Sequence, residues 1–381
     1  MKYIKDAKIY VDGVGIINTS MTFNDRIMAI GSCGGQEIFI PEDAIVVPGF
    51  IDQHVHGAGG FDFMDGSVQA VETISSTLAQ EGTVAFLATT VSASVEKTEK
   101  ALKSAKEYKA LNKNVGAEVI GVHLEGPFIC HKFKGGMNEL YIIPPNVEIL
   151  QSFIDACDDI VKIVTYAPEI DMDGILLKAL LEKGIVPSAG HTNATCAQIE
   201  EAISTGLKNI THTYNAMSPL HHREIGVVGS ALLFDSLNCE LIADEIHVSV
   251  PAMQVLIKNK PKDKLILVTD SMRAKGVAEG LSEIGGQKVI VKNGEARLEN
   301  GTLAGSVLKM NVAVRNLVND LNVPLTTAID YATINPAKAL GIEKDYGSIA
   351  VGKKAAFAVL DKDYNVLMTI VNGEIVYKKE D

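Results

Sequence analysis

The chain has 381 residues, 47% of them hydrophobic and 22% charged, a composition that excludes long disordered tracts. Lys and Arg number 35 against 47 Asp and Glu, a formal charge of −12, which argues against a general nucleic-acid or anionic-membrane binder but allows one local basic pocket. The cysteines, Cys33, Cys130, Cys157, Cys196 and Cys239, show no CxxC spacing, so a disulfide framework and a cysteine-only zinc site are both disfavoured.

The N-terminus, Met1-Lys2-Tyr3-Ile4-Lys5-Asp6, carries charge where a signal peptide needs an apolar core. No apolar run approaches the roughly 18–20 residues that span a bilayer. The expectation is a reduced cytoplasmic protein. Ile4, Ala7, Ile9 and Val11 predict a strand closed by a turn at Asp12-Gly13, and a second strand is expected over 26–30. Residues 45–52 form an apolar run that ends at polar residues. From there short apolar runs alternate with amphipathic stretches. Strands are predicted at 84–88, 119–122, 160–164, 185–186, 210–211, 241–243 and 265–269, with helices at 95–111, 175–181, 197–203 and 253–257.

With the run after Phe50, the strands end near residues 52, 89, 124, 166, 189, 211, 243 and 269. Eight strand–helix units close a TIM-type (β/α)8 barrel. The competing doubly wound sheet is disfavoured in its dinucleotide-binding form, because no GxGxxG follows the first strand. Asn293-Gly294, flanked by Val289–Val291 and Ala296–Leu298, predicts a type I′ hairpin inserted after the eighth strand. Helical periodicity returns over 307–321 and around Ala328 and Ala337. Short strands close the chain at 347–349, 355–360, 366–371 and 375–377. The expected architecture is therefore a small discontinuous β-sandwich domain from 1–48 and 344–381, around a barrel of 49–343.

Polar residues mark the ends of these strands: His54 and His56, Glu125, His191, His212, His247 and Asp270. In a barrel those ends converge on one face, where active sites lie. A cluster of imidazoles and carboxylates there suits a divalent metal, zinc first, with iron, manganese or cobalt as alternatives. Each residue alone has a plainer reading. A lone loop histidine is usually solvated, Asp270 could cap a helix, and Glu125 could sit in a buried ion pair. Only the joint pattern points to chemistry, with His54 and His56 placing both rings on one side of an extended segment.

The local sequences then identify a family. Pro48-Gly49-Phe50-Ile51-Asp52-Gln53-His54-Val55-His56-Gly57 resembles the first-strand motif of the amidohydrolase superfamily. The segments 123–128 (HLEGPF), 189–192 (AGHT), 211–218 (THTYNAMS), 222–226 (HREIG), 269–272 (TDSM) and 303–306 (LAGS) are similar to those of N-acetylglucosamine-6-phosphate deacetylases. Asn335-Pro336-Ala337-Lys338 and Gly347-Ser348-Ile349 resemble the superfamily's closing helix and strand return. The resemblance covers nearly the whole chain. It implies Glu125, His191 and His212 as a metal triad, and His54 and His56 as the extra pair of members that hold two ions, with Glu125 bridging. It implies Asp270 as the catalytic carboxylate and a further metal ligand. Asn215, Ala216 and His247 become substrate contacts, and Arg223 reaches a phosphate in the neighbouring subunit of a homodimer.

Two departures from the family pattern stand out. Met137 occupies the place where some relatives carry a substrate-polarising histidine, and Glu245 replaces a glycine. Glu245 is expected to resist a positive φ and to add negative charge near an anionic substrate. His131 is expected at the surface, and Lys162 as structural. Cys130 and Cys196 are expected as buried small hydrophobes, and at most one of His221 and His222 to face the site. The expected activity is metal-dependent removal of acetate from N-acetylglucosamine 6-phosphate. The galacto epimer is the nearest alternative. A cyclic-amide hydrolase and a non-catalytic scaffold of the same superfamily stand further off.

Overall fold

The structure, a computed structural model, describes residues 1–380. Its centre is a parallel barrel of eight strands: Phe50–Val55, Thr83–Thr89, Glu118–Glu125, Val161–Tyr166, Val186–Ala189, Asn209–Ile210, Asn238–Leu241 and Leu265–Leu267. The first seven are followed by helices Val68–Ala79, Val95–Ala110, Val147–Ala156, Ile175–Glu182, Cys196–Thr205, Gly226–Leu233 and Val250–Asn259. The eighth is followed by Met310–Asn319 after a three-stranded excursion over Gly280–Ile284, Gln287–Lys292 and Glu295–Leu298. Asn293 and Gly294 both have positive φ, 53° and 76°, as the predicted type I′ turn requires.

The barrel closes where the eighth strand's extension meets the first. The Asp270 N–H donates to the His54 carbonyl at 2.9 Å, and Val55 bridges Ser271. Asp52, wholly buried, strengthens the seam by accepting from the Thr269 hydroxyl at 2.6 Å and from the Thr269 N–H at 3.3 Å.

The predicted run over 45–52 divides in two. Ile45–Pro48 pairs with strands of the chain ends, whereas Phe50–Val55 enters the barrel. Gly49 is the hinge: a Cβ there would lie 2.1 Å from Val84 Cγ1. The barrel strand also continues past Asp52, so both ligand candidates of the first motif follow its direction.

The terminal strands form one sheet in the order Glu374–Lys378, Val366–Val371, Phe357–Leu360, Ile45–Pro48, Lys2–Val11, Gly15–Phe23, Ile27–Ile30, with Gln36–Glu37 on the side of Lys2–Val11. Its core is separate from the barrel's and includes Ile4, Ile9, Met21, Phe23, Phe357 and Ile370. Gly347–Ile349 forms an isolated bridge from Ile349 to Val11 instead of the predicted strand. No helix of the described residues is long and apolar enough to cross a membrane.

Candidate metal centre and active site

The polar residues at the barrel's strand ends meet in space. Glu125 ends the third strand, and His54 and His56 lie at the end of the first. His191, His212 and Asp270 follow the fifth, sixth and eighth strands with φ of 49°, 30° and 49°. Side chains with a Cβ rarely adopt this left-handed region. Backbone strain is thus concentrated where the chain turns its side chains into the barrel mouth. Gly190 permits the tight passage before His191, since a Cβ would meet the Thr211 Cβ at 2.6 Å.

Glu125 is the hub. Its Oε1 lies 3.1 Å from His191 Nε2, 3.0 Å from His212 Nε2 and 3.3 Å from His54 Nε2, and its Oε2 lies 3.2 Å from His56 Nε2. Asp270 Oδ1 sits 3.1 Å from His56 Nε2 and 3.5 Å from His54 Nε2. All six side chains are buried. Of three sets of ligand atoms compact enough to hold an ion, two share Glu125: His54, His56 and Glu125, and Glu125, His191 and His212.

The donor set fits a divalent cation. His191 Nε2 and His212 Nε2 approach to 3.0 Å while both face one carboxylate oxygen. Ligands about 2.1 Å from a shared ion lie about 3 Å apart, whereas two bare nitrogens at that distance have no attraction. His54 Nε2 is buried without a hydrogen-bond partner. The electrostatics agree. Burial alone would push His56 down, but Asp270 and Glu125 carry it up to about 10. Burial likewise opposes the shift of His54, which the same two carboxylates hold well above the usual histidine range. Burial would raise Glu125 and Asp270. The surrounding imidazoles hold Glu125 well below the usual carboxylate range, and His54 and His56 lower Asp270. The cluster calls for positive charge, and a metal ion supplies it in place of protons.

Partners behind the ligands fix the rings. His54 Nδ1 is 3.1 Å from Glu240 Oε2, His56 Nδ1 is 3.3 Å from the Thr89 carbonyl, and His191 Nδ1 is 2.8 Å from the Phe133 carbonyl. Sequence reasoning missed Glu240. Its signal was present: one charge inside the apolar run Cys239-Glu240-Leu241-Ile242-Ala243. His123, of the same HLEGPF segment as Glu125, faces the barrel interior, and burial pushes it down to about 4.

Above the cluster opens a cavity of about 570 Å³. His56, Glu125, His191, His212 and Asp270 line its floor, and Asn215, Ala216, Met137 and His247 its walls. Lys132, Lys134 and Arg297 line it too, a cationic rim on an acidic protein. Arg297 comes from the inserted hairpin. His247 Nδ1–H donates to Asp244 Oδ2 at 2.6 Å.

The expectations for Glu245, Cys130 and Cys196 need correcting. Glu245 does adopt the positive φ, 66°, that the family glycine would accept, but it is exposed and does not line the cavity. It lies beside Asp320, which together with partial burial raises its carboxyl. It adds no charge to the cavity wall. His131, though exposed, does line the cavity. His221 and His222 are both exposed outside the cavity, so neither faces the site, and their rings lie 4.2 Å apart. Cys130 and Cys196 are half-buried. Arg223 is exposed outside the cavity, with Nη1 2.7 Å from His222 Nε2.

The amidohydrolase family model matches residues 45–376. The chain is 41% identical to an N-acetylglucosamine-6-phosphate deacetylase of Bacillus subtilis, covering 98% of this chain and 96% of that protein. It is 33% identical to an N-acetylgalactosamine-6-phosphate deacetylase of Escherichia coli O157:H7, covering 87% of each. Among solved structures, the N-acetylglucosamine-6-phosphate deacetylase of Pasteurella multocida superposes with a TM-score of 0.92 at 33% identity, over 98% of this chain and 99% of that one.

Proposed function

The chain belongs to the amidohydrolase family, and on that premise we propose that it hydrolyses the acetyl amide of N-acetyl-D-glucosamine 6-phosphate, giving acetate and glucosamine 6-phosphate in amino-sugar catabolism. The observation that carries this reading is the 41% identity to the Bacillus subtilis enzyme of that name over nearly the full length of both chains. The 33% identity to the galactosamine enzyme makes the galacto epimer the second substrate to try.

The reading takes Glu125, His191 and His212 as ligands of one divalent ion, and His54 and His56, bridged by Glu125 and bordered by Asp270, as ligands of a second. Zinc is the first choice by donor chemistry, with iron, manganese and cobalt behind it. Such an ion supplies, when bound, polarisation of the amide carbonyl and acidification of water.

The side chains account for the rest. Asp270, held ionised, takes a proton from the attacking water and returns it to the departing sugar nitrogen. The Asn215–Ala216 backbone and His247 hold the sugar phosphate, and this remote binding fixes the acetamide against Asp270. The cationic rim suits an anionic substrate. Arg223 serves the neighbouring site of a homodimer. Its exposure, away from the cavity of its own chain, supports that assignment. A sugar phosphate substrate and free thiols together support a cytoplasmic location.

Acetate release from both epimers, with a chelator control, tests the proposal. Chelator-sensitive release favouring the gluco epimer is expected, and release from neither by metal-loaded protein refutes it. Arg223→Ala is expected to raise KM for the 6-phosphate sugar and to leave a non-phosphorylated analogue nearly unchanged. Mixing this variant with inactive Asp270→Asn protein restores activity if the arginine acts across subunits.

A further inference from the structure

We propose that Glu240 is a positioning residue of the metal centre, whose buried carboxylate keeps the His54 proton on Nδ1 and so leaves Nε2 bare toward Glu125 and Asp270. The inference rests on reading the cluster as a metal centre.

Glu240 lies on the seventh barrel strand, and none of it is exposed. Its Oε2 accepts from His54 Nδ1–H and from the His212 backbone N–H, each at 3.1 Å. Its Oε1 accepts from the Gln53 amide at 2.7 Å. An ionised carboxylate can only accept, so the nitrogen of His54 that faces it must carry the proton. In the neutral ring that a metal ligand requires, the other nitrogen then carries a lone pair. It lies buried, 3.3 Å from Glu125 and 3.5 Å from Asp270, and both of those groups are themselves acceptors. A lone pair and two anions converging in a dry site need a cation between them.

The layer beneath offers Glu240 no other task. His123, with His54 and Glu240, forms a compact trio, but it is not an ion site. His123 Nδ1–H donates to the Gln53 carbonyl at 3.0 Å, so its Nε2 accepts from the Thr165 hydroxyl at 2.7 Å. Thr165 then accepts from Thr211 at 2.7 Å, and Thr211 from Ser188 at 2.6 Å. Both nitrogens of His123 are committed. Glu240 also ties the first strand, through His54 and Gln53, to the sixth, through the His212 N–H. It thereby reaches a ligand from each half of the cluster.

Metal content measured by elemental analysis, with affinity from chelator competition, tests the role without turnover. Glu240→Ala is expected to weaken metal binding about 10- to 100-fold, and His54→Ala at least as much. The double variant is expected to be no worse than His54→Ala alone. Glu240→Gln is expected to recover most of the affinity, because the Gln53 amide, whose oxygen has no partner, can turn and leave an oxygen facing His54. Wild-type affinity in Glu240→Ala, or an additive loss in the double variant, overturns the proposal. Should Glu240→Ala not fold, nitrogen-15 spectra of the chelated wild-type protein decide. A proton on His54 Nδ1 is expected, with or without a second one on Nε2, and a ring protonated on Nε2 alone overturns it. Metal binding that follows this pattern without acetate release would refute the substrate reading alone. A wild-type chain that binds no divalent ion would refute the metal centre and Glu240's role with it.

Discussion

The barrel mouth and the terminal sheet obey opposite rules. At the mouth, histidines and carboxylates are buried, and His191, His212, Tyr214, Ala216 and Asp270 all hold positive φ. In the terminal sheet the buried side chains are mainly apolar, and the strands pair in long ladders such as Lys2–Val11 with Gly15–Phe23, broken only by a bulge between Ile4 and Ala7. One region carries electrostatic and conformational strain, and the other carries regular apolar packing. Strain is tolerable at the mouth because the surrounding structure over-determines it. A change at the mouth should therefore alter chemistry before stability, and a change in the sheet the reverse.

Asp270→Asn should give the largest effect on the first side. The amide cannot accept the proton of the attacking water, so turnover should fall by about 10²- to 10⁴-fold. Metal content should stay intact, because no compact ligand set includes Asp270. Steady-state kinetics with elemental analysis checks this. Near-normal kcat would remove Asp270 from the proton transfers.

Phe357→Ala tests the other side. Phe357 is fully buried and meets Phe23 edge-on, with centroids 5.1 Å apart. Truncating a buried phenylalanine costs about 3–5 kcal/mol, which should lower Tm by about 4–6 °C in a chain of this length. Calorimetry reads that loss, while kcat and metal content below the transition should match the wild-type protein. A loss of metal here would mean that the sheet helps to shape the mouth.

The same contrast governs what could be read from sequence. The barrel strands announce themselves as short apolar runs, and polar residues at their ends point to the site because a barrel gathers those ends. Elements lacking such a pattern escape. Gly226–Leu233 is apolar on nearly every side and mostly buried, so it shows no helical period. Gly15–Phe23 is exposed along its first half and buried only from Ser20 onward, so it does not alternate as a strand. Glu240 escaped because its role depends on two residues, His54 and His212, that lie far from it in sequence. Glu245 shows the converse. Its residue type argues against the positive φ that a glycine accepts, yet it holds 66°, and its exposed side chain lies beside Asp320, which only the fold brings near.

The smallest predicted effect lies where the two rules meet, at the cavity wall. Asp244 accepts from the Ile246 and His247 N–H groups through Oδ1 at 2.9 and 2.8 Å, and from the His247 ring through Oδ2. Burial would lower the His247 pKa, but Asp244 raises it on balance. A raised folded-state value means that the protonated pair stabilises the protein fully below the unfolded histidine value of about 6.5. That stabilisation is lost as pH climbs through the folded value. Asp244→Asn keeps an oxygen for both backbone donors and removes only the charge facing the ring. A hydrogen bond to a charged group contributes about 1.5–3 kcal/mol, so the variant should melt a few degrees lower at acidic pH. The gap should narrow as pH rises past the His247 transition. A gap independent of pH would assign Asp244 to the loop backbone alone, and the cavity wall would then follow the rule of the sheet.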